Sequence, residues 1–139
     1  MVYFTTYALN THSGVMVTGS HNPPEYNGLK MMLAGDTLAG DDIQALRKRI
    51  ETGHIVNGAG SYRTHDIREA YLSRIVGDIK VARKIKIAVD CGNGVAGAFA
   101  PELYRRLGCD VQELFCEVDS RFPNHHPDPS QPKNLQDLI

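Results

Sequence analysis

The stretch from Ile85 to Val118 constrains the fold more than any other part of this chain. An apolar run, IKIAVD at 85–90, leads into a turn with three glycines, Cys91–Gly97. A helical pattern follows over 98–107, with Phe99, Leu103 and Leu107 on one face, and Gly108 ends it. Residues 109–118 then read as a further strand. Strand, glycine turn, helix and strand in that order commit this half to α/β architecture. Pro101 fits only in the first turn of the helix, where its missing N–H costs nothing.

The preceding residues carry the same mixture. Residues 2–10 spread their apolar side chains around and read as the end of a helix. Val15, Met16 and Val17 form a continuous apolar run, which predicts a short buried strand over Ser13–Thr18. Residues 19–28 form a loop, punctuated by Pro23, Pro24 and the Asn27-Gly28 pair, and Leu29–Leu33 reads as the returning strand. Asp41–Thr52 is predicted helical, since Ile43, Leu46 and Ile50 share a face while Arg47, Lys48 and Glu51 turn outward; Gly53 stops it. A second helix is expected from Asp66, with Asp66 as N-cap, Glu69 as its reciprocal partner, and Ile67, Tyr71, Ile75 and Ile79 as its apolar stripe. Prolines crowd residues 119–132 into an irregular loop, and a helix begins at 134–139. The join between halves falls near residues 57–66. Each half is smaller than a comfortable core requires, and both ends of the chain look cut.

Composition excludes several function classes. Lys+Arg is 15 and Asp+Glu 16, a net charge of −1 over 139 residues, so any polyanion site must be local. At 42% hydrophobic and 22% charged the chain is folded rather than disordered. No run approaches the ~18 apolar residues of a membrane helix. The Met1-Val2-Tyr3-Phe4 start lacks the features of a signal peptide. The three cysteines, Cys91, Cys109 and Cys116, show no metal-binding spacing and read as free thiols, small buried hydrophobes in a reducing cytoplasm. The short basic run Lys80, Arg83, Lys84, Lys86 has no interleaved aromatics and reads as a solvated helix end. Neither nucleic acid nor membrane is an expected partner.

The sharpest local feature is Thr18-Gly19-Ser20-His21-Asn22-Pro23. A strand delivers a hydroxyl onto a loop, and loops beyond strand ends are where α/β sheets bind ligands. Gly19 allows a close turn, while Pro23 stiffens the loop and restricts Asn22. His21 supplies an imidazole, and Lys30 on the next strand can return an ammonium. Nucleophilic oxygen, proton-transfer group and positive charge together suit phosphoryl transfer. The same run also reads as an ordinary turn, since Ser, Asn and Pro all favour turns.

With Pro24-Glu25-Tyr26-Asn27-Gly28 and Lys30, this run resembles the phosphoserine loop of the α-D-phosphohexomutases, most of all their bacterial members acting on mannose and glucose phosphates. The likeness extends through Val89–Gly97 and Phe122–Pro129. The resemblance implies three-layer, mixed-sheet α/β domains, here incomplete. Residues 1–62 would be the latter part of domain one and 63–139 the first part of domain two. It implies that Ser20 carries a phosphoryl group and holds Mg²⁺ through it. The phosphoryl passes to a hexose phosphate, and hexose 1,6-bisphosphate is the intermediate. His21 matches a residue beside the phosphoserine. Lys30 matches a lysine that handles the proton of the attacking hydroxyl. Asn22, with Thr18, Gly19 and Pro23, shapes the loop. The parent would be a monomer. The family's D-G-D-x-D-R metal loop is expected beyond Ile139, so the 139-residue chain alone is expected to be inactive and poorly folded.

A second reading concerns Gly92-Asn93-Gly94-Val95-Ala96-Gly97, which fits G-x-G-x-x-G between a strand and a helix, with Glu117 closing the next strand 25 residues after Gly92. That is the setting of a dinucleotide-binding module. It is equally the setting of a tight strand-to-helix turn, and Asp90 before the first glycine would repel a pyrophosphate. His125 and His126 with Asp128 have no third ligand at regular spacing and read as a proline-stiffened structural loop rather than a metal site.

Overall fold

The computed structural model describes residues 1–19, 22–23 and 25–139 and divides the chain into two units. The first comprises Met1–Thr18 and Leu29–Ile67, the second Gly19–Gly28 and Arg68–Ile139.

In the first unit a helix, α1 (Val2–Ala8), precedes a sheet in the order β1 (Gly14–Thr18), β2 (Gly28–Leu33), β3 (Asp36–Thr37). Thr6 of α1 is 2% exposed, and its hydroxyl donates to the Tyr3 carbonyl and the Met32 sulfur, tying α1 to β2. Its carbonyl accepts the Thr11 and His12 amides and so turns the chain toward β1. A Cβ on Gly14 would lie 2.7 Å from the Thr6 methyl, so glycine is what lets α1 sit this close to β1. β2 and β3 pair antiparallel, Met32 opposite Thr37 and Leu33 opposite Asp36. Their connection is Ala34-Gly35, both left-handed at φ 50° and 95°, the geometry whose twist matches a two-residue hairpin. β3 escaped the sequence reading because two polar residues carry no period.

Two sequence expectations are corrected here. β1 is not buried throughout: Val15 and Val17 are 61% and 67% exposed. The strand alternates faces, and α1 packs on one of them; among the described residues of this unit nothing covers the other. The helix α2 (Asp41–Glu51) forms as predicted but buries no residue, and Ile50 stays exposed.

The second unit contains α3 (Arg68–Asp78), β4 (Lys86–Asp90), a 3₁₀ turn at Val95–Ala98, α4 (Ala100–Arg106), β5 (Asp110–Leu114) and a 3₁₀ turn at Pro132–Leu135. β4 and β5 are parallel, in register from Lys86 opposite Asp110 to Asp90 opposite Leu114. The β-α-β unit is therefore present, with shorter elements than predicted. α4 begins at Ala100, two residues late, because the 3₁₀ turn occupies the start, and Pro101 lies buried in its first turn. β5 has half its predicted length because Phe115, at φ 49°, turns the chain out of the strand. The helix expected from 134 is a single 3₁₀ turn. α3 starts at Arg68, so Asp66 lies before the N-cap position, and the side chain buried on this helix is Leu72 rather than the predicted stripe.

Charge lines the seam between α3 and α4. Arg106 bonds both carboxylate oxygens of Glu69, at 2.7 and 2.8 Å, and also reaches Glu102, which Arg68 contacts in turn. The hydrogen bonds from Arg106, followed by that from Ser73, hold the Glu69 carboxyl down at about 2. These groups are solvated, so they orient the helices more than they stabilise them. The tight packing lies beneath. Leu72 is 1% exposed, and a Cβ on Gly97 would lie 2.0 Å from the Cys116 carbonyl oxygen.

Two substitutions test which contacts hold this unit. Leu72→Ala is expected to cost about 3 kcal/mol, within the usual range for a buried leucine. Gly97→Ala is expected to cost about 2 kcal/mol or more, because its obstacle is backbone that cannot rotate aside. Urea denaturation followed by circular dichroism measures both. A loss below ~0.5 kcal/mol for either would contradict this packing.

Candidate functional site

The serine loop leaves β1 at Thr18, which is half-buried. The Asn22 amide donates to the Gly19 carbonyl at 2.8 Å, and the Tyr26 amide donates to the Pro23 carbonyl at 2.9 Å. Each of these two bonds joins residues three apart, the spacing of a tight turn. The Cβ position of Gly19 lies 3.4 Å from the Tyr26 carbonyl, so the loop's ends meet closely. Asn22 is half-buried and Pro23 exposed; Lys30 is exposed on β2. Ser20 and His21 lie outside the described residues, as does Pro24. The structure brings Gly19, Asn22, Pro23 and Tyr26 together.

A second cluster gathers beyond the C-terminal ends of β4 and β5. Its centre is Asn93, 4% exposed and left-handed at φ 59°. The Asn93 amide donates to the Phe115 carbonyl at 2.8 Å, and its carbonyl accepts the Asp119 amide at 3.0 Å. Its side-chain nitrogen donates to the Glu117 carbonyl at 2.9 Å, and its side-chain oxygen accepts from Asn124 at 2.8 Å. One residue thereby fastens the glycine turn to the exit of β5 and to the proline-rich loop. His125 clamps the same loop. Its Nε2 lies 3.0 and 3.2 Å from the two Asp90 oxygens, and its Nδ1 lies 3.0 Å from the His126 carbonyl. Sequence reasoning passed over Asn93 and the Asp90–His125 pair. The available signal was an asparagine between two glycines, since Asn tolerates the left-handed region.

This geometry corrects the dinucleotide reading. Amides that would cradle a pyrophosphate are already committed: Gly92 to the Asp90 carboxylate, Asn93 to Phe115, Gly94 to Cys91, and Gly97 to Gly94. His125 and Pro127 stand against Gly92, where a ligand backbone would approach. The 92–97 turn is a packing device. Of the two adjacent histidines, His125 directs both ring nitrogens to acceptors of the protein itself. Among the described residues no group of three or more His, Cys, Asp or Glu side chains gathers to hold a metal ion.

Both ring nitrogens of His125 face acceptors, so satisfying both requires the doubly protonated ring. Its pKa is raised above the ordinary 6.5, first by the hydrogen bond to the His126 carbonyl and then by Asp90, against an opposing effect of burial; Asp137 adds a smaller attraction. A raised folded-state value means that the stabilisation is complete below about 6.5 and is lost as pH rises through the higher value. The melting temperature of the native chain should therefore exceed that of His125→Gln most at pH 6, with the gap narrowing at higher pH. A gap that is constant or grows with pH would contradict the charged clamp.

Comparison with known proteins bears on both halves. Residues 69–139 match the family model for phosphoglucomutase/phosphomannomutase, alpha/beta/alpha domain II, and residues 1–55 match that for domain I. A phosphomannomutase/phosphoglucomutase from Pseudomonas aeruginosa is 55% identical over 139 residues, covering 100% of this chain and 30% of that protein. A phosphoglucomutase from Neisseria gonorrhoeae is 59% identical over 141 residues, covering 100% of this chain and 31% of that protein. The chain thus spans about 30% of the length of these curated relatives. The crystal structure of a phosphoglucomutase/phosphomannomutase family protein from Burkholderia thailandensis superposes with a TM-score of 0.88 at 55% identity, covering 91% of this chain and 28% of that one. With just over half of the chain matched by the domain II model and the domain I match preceding it, the chain belongs to the phosphoglucomutase/phosphomannomutase family.

Proposed function

We propose that this chain forms the serine-loop part of domain I and the opening part of domain II in an enzyme that interconverts hexose 1-phosphates and hexose 6-phosphates of mannose and glucose. Residues 1–62 and 63–139 are the two parts. The observation that carries this reading is the 55% identity to a phosphomannomutase/phosphoglucomutase across all 139 residues, serine loop included. The three free cysteines favour a reducing cytoplasm for it. Among the described residues no helix is long and apolar enough to cross a membrane.

In this reading Ser20 is the phosphoryl carrier. A sugar hydroxyl attacks the phosphorus on Ser20; the new phosphorus–oxygen bond forms as the bond to the serine oxygen breaks. Lys30 takes the proton that the hydroxyl gives up, and His21 balances charge beside the phosphoryl group. The product is a hexose 1,6-bisphosphate, which returns its other phosphoryl group to Ser20 by the reverse step. Thr18, Gly19, Asn22 and Pro23 hold the loop that presents the serine. The family resemblance also carries Mg²⁺, bound through the phosphorylated serine. The described residues gather no donor set of three or more His, Cys, Asp or Glu side chains for that ion.

The test is made in the enzyme that carries this sequence, with a coupled assay converting glucose 1-phosphate to glucose 6-phosphate. Ser20→Ala is expected to lower turnover about 10⁴-fold or more, and Lys30→Ala about 10²-fold. Phosphopeptide mapping of the active protein should place phosphate on Ser20. Turnover within tenfold of native for Ser20→Ala, or active protein with no phosphate on that peptide, would overturn the assignment.

A further inference from the structure

We propose that Cys91 and Cys116 form a modification site, a dithiol that a low-molecular-weight disulfide converts into an intramolecular bridge between the ends of β4 and β5. The two sulfurs lie 3.4 Å apart. A disulfide bond is about 2.05 Å long, so a closure of roughly 1.4 Å, within reach of side-chain rotation, joins them.

The fold creates this proximity between residues 25 apart in sequence. The parallel register sets Asp90 opposite Leu114, and the Cys91 amide donates to the Leu114 carbonyl at 3.1 Å. Phe115 then turns the chain at φ 49°, and the Cys116 sulfur comes to Cys91 rather than continuing along the strand. Both cysteines are half-buried, so a small reagent has access. Cys109 precedes the opposite end of β5, roughly 15 Å or more away at ~3.3 Å per strand residue, and takes no part.

The surroundings hold the proton of Cys91. Burial, with Cys116 beside it, pushes the Cys91 thiol up to about 12. The Cys116 sulfur lies 3.4 Å from the Leu114 carbonyl and 3.6 Å from that of Val89. Oxidation is therefore slow, because thiolate is the attacking species. With oxidised glutathione the steps balance as follows. Cys116 loses its proton and attacks one glutathione sulfur, breaking the reagent's S–S bond and releasing one glutathione. Cys91 loses its proton and attacks the Cys116 sulfur of the mixed disulfide, releasing the second. The two protein sulfurs are oxidised, the reagent is reduced to two thiols, and these take up both protons.

The experiment equilibrates the native chain overnight in oxidised glutathione, alkylates the remaining thiols, and maps peptides by mass spectrometry. The expected result is loss of two of the three free thiols, a mass loss of two hydrogens, and one linked pair, Cys91 with Cys116. The same treatment in urea should scatter pairing among the three cysteines. Cys109→Ser should keep the bridge, and Cys116→Ser should abolish it. Three free thiols at equilibrium, glutathione adducts without a bridge, or the same mixture of pairs in native and urea samples would overturn the proposal.

Discussion

The second unit depends on a single left-handed residue. Asn93 must be left-handed so that the turn after β4 can face both the exit of β5 and the loop that follows it. It must also present a donor to the Glu117 carbonyl and an acceptor to the Asn124 amide from one side chain. Asparagine meets both demands, since its amide carries each function and it tolerates positive φ. Alanine would lose both side-chain bonds, and aspartate would set an acceptor against a carbonyl. The contact of Gly97 with the Cys116 backbone and the clamp of His125 on Asp90 both require the chain segments that Asn93 brings together.

The same economy holds in the first unit, where Thr6 does comparable work with less. Its hydroxyl and carbonyl tie α1, the following turn and β2 into one arrangement. The buried apolar side chains among the described residues are few: Met32 in the first unit, Leu72 and Pro101 in the second. So small an apolar core provides little burial energy, and specificity falls to placed polar groups and close backbone contacts. A lost hydrogen bond is costly where the group left behind is buried, as it is at Thr6 and Asn93.

What the sequence disclosed follows from the range of the forces involved. The β-α-β order of 85–114 was readable because hydrophobic period and glycine punctuation are local. The helix over Asp41–Glu51 was readable for the same reason. Its exposure was not, because burial depends on what stands opposite. The hairpin to Asp36-Thr37 was missed because only the two positive φ angles at Ala34-Gly35 announce it. β5 was overdrawn because Phe115, Cys116 and Val118 add further apolar positions, while the turn at Phe115 is held by Asn93 from 22 residues upstream. Of the site, the turn-forming residues of the serine loop were legible. The Asp90–His125 pair and the Cys91–Cys116 contact were not, since each joins residues far apart in sequence that only the fold makes neighbours.

The two glycine-bearing loops divide the labour between backbone and side chain. In the 92–97 turn the amides satisfy carbonyls and the Asp90 carboxylate, which fits a loop whose task is to hold strands and helix together. In the serine loop the Asn22 and Tyr26 amides are likewise turned inward, to Gly19 and Pro23. Those two amides, spent on the loop's own shape, are not offered to a phosphate. In the function proposed for this chain the phosphoryl group is handled by side chains: Ser20 carries it, His21 balances its charge, and Lys30 takes the proton of the incoming hydroxyl. That division suits a reversible carrier. Backbone donors grip a phosphate equally well wherever it is attached, whereas a covalent bond to one hydroxyl can be made and broken as the partner oxygen changes.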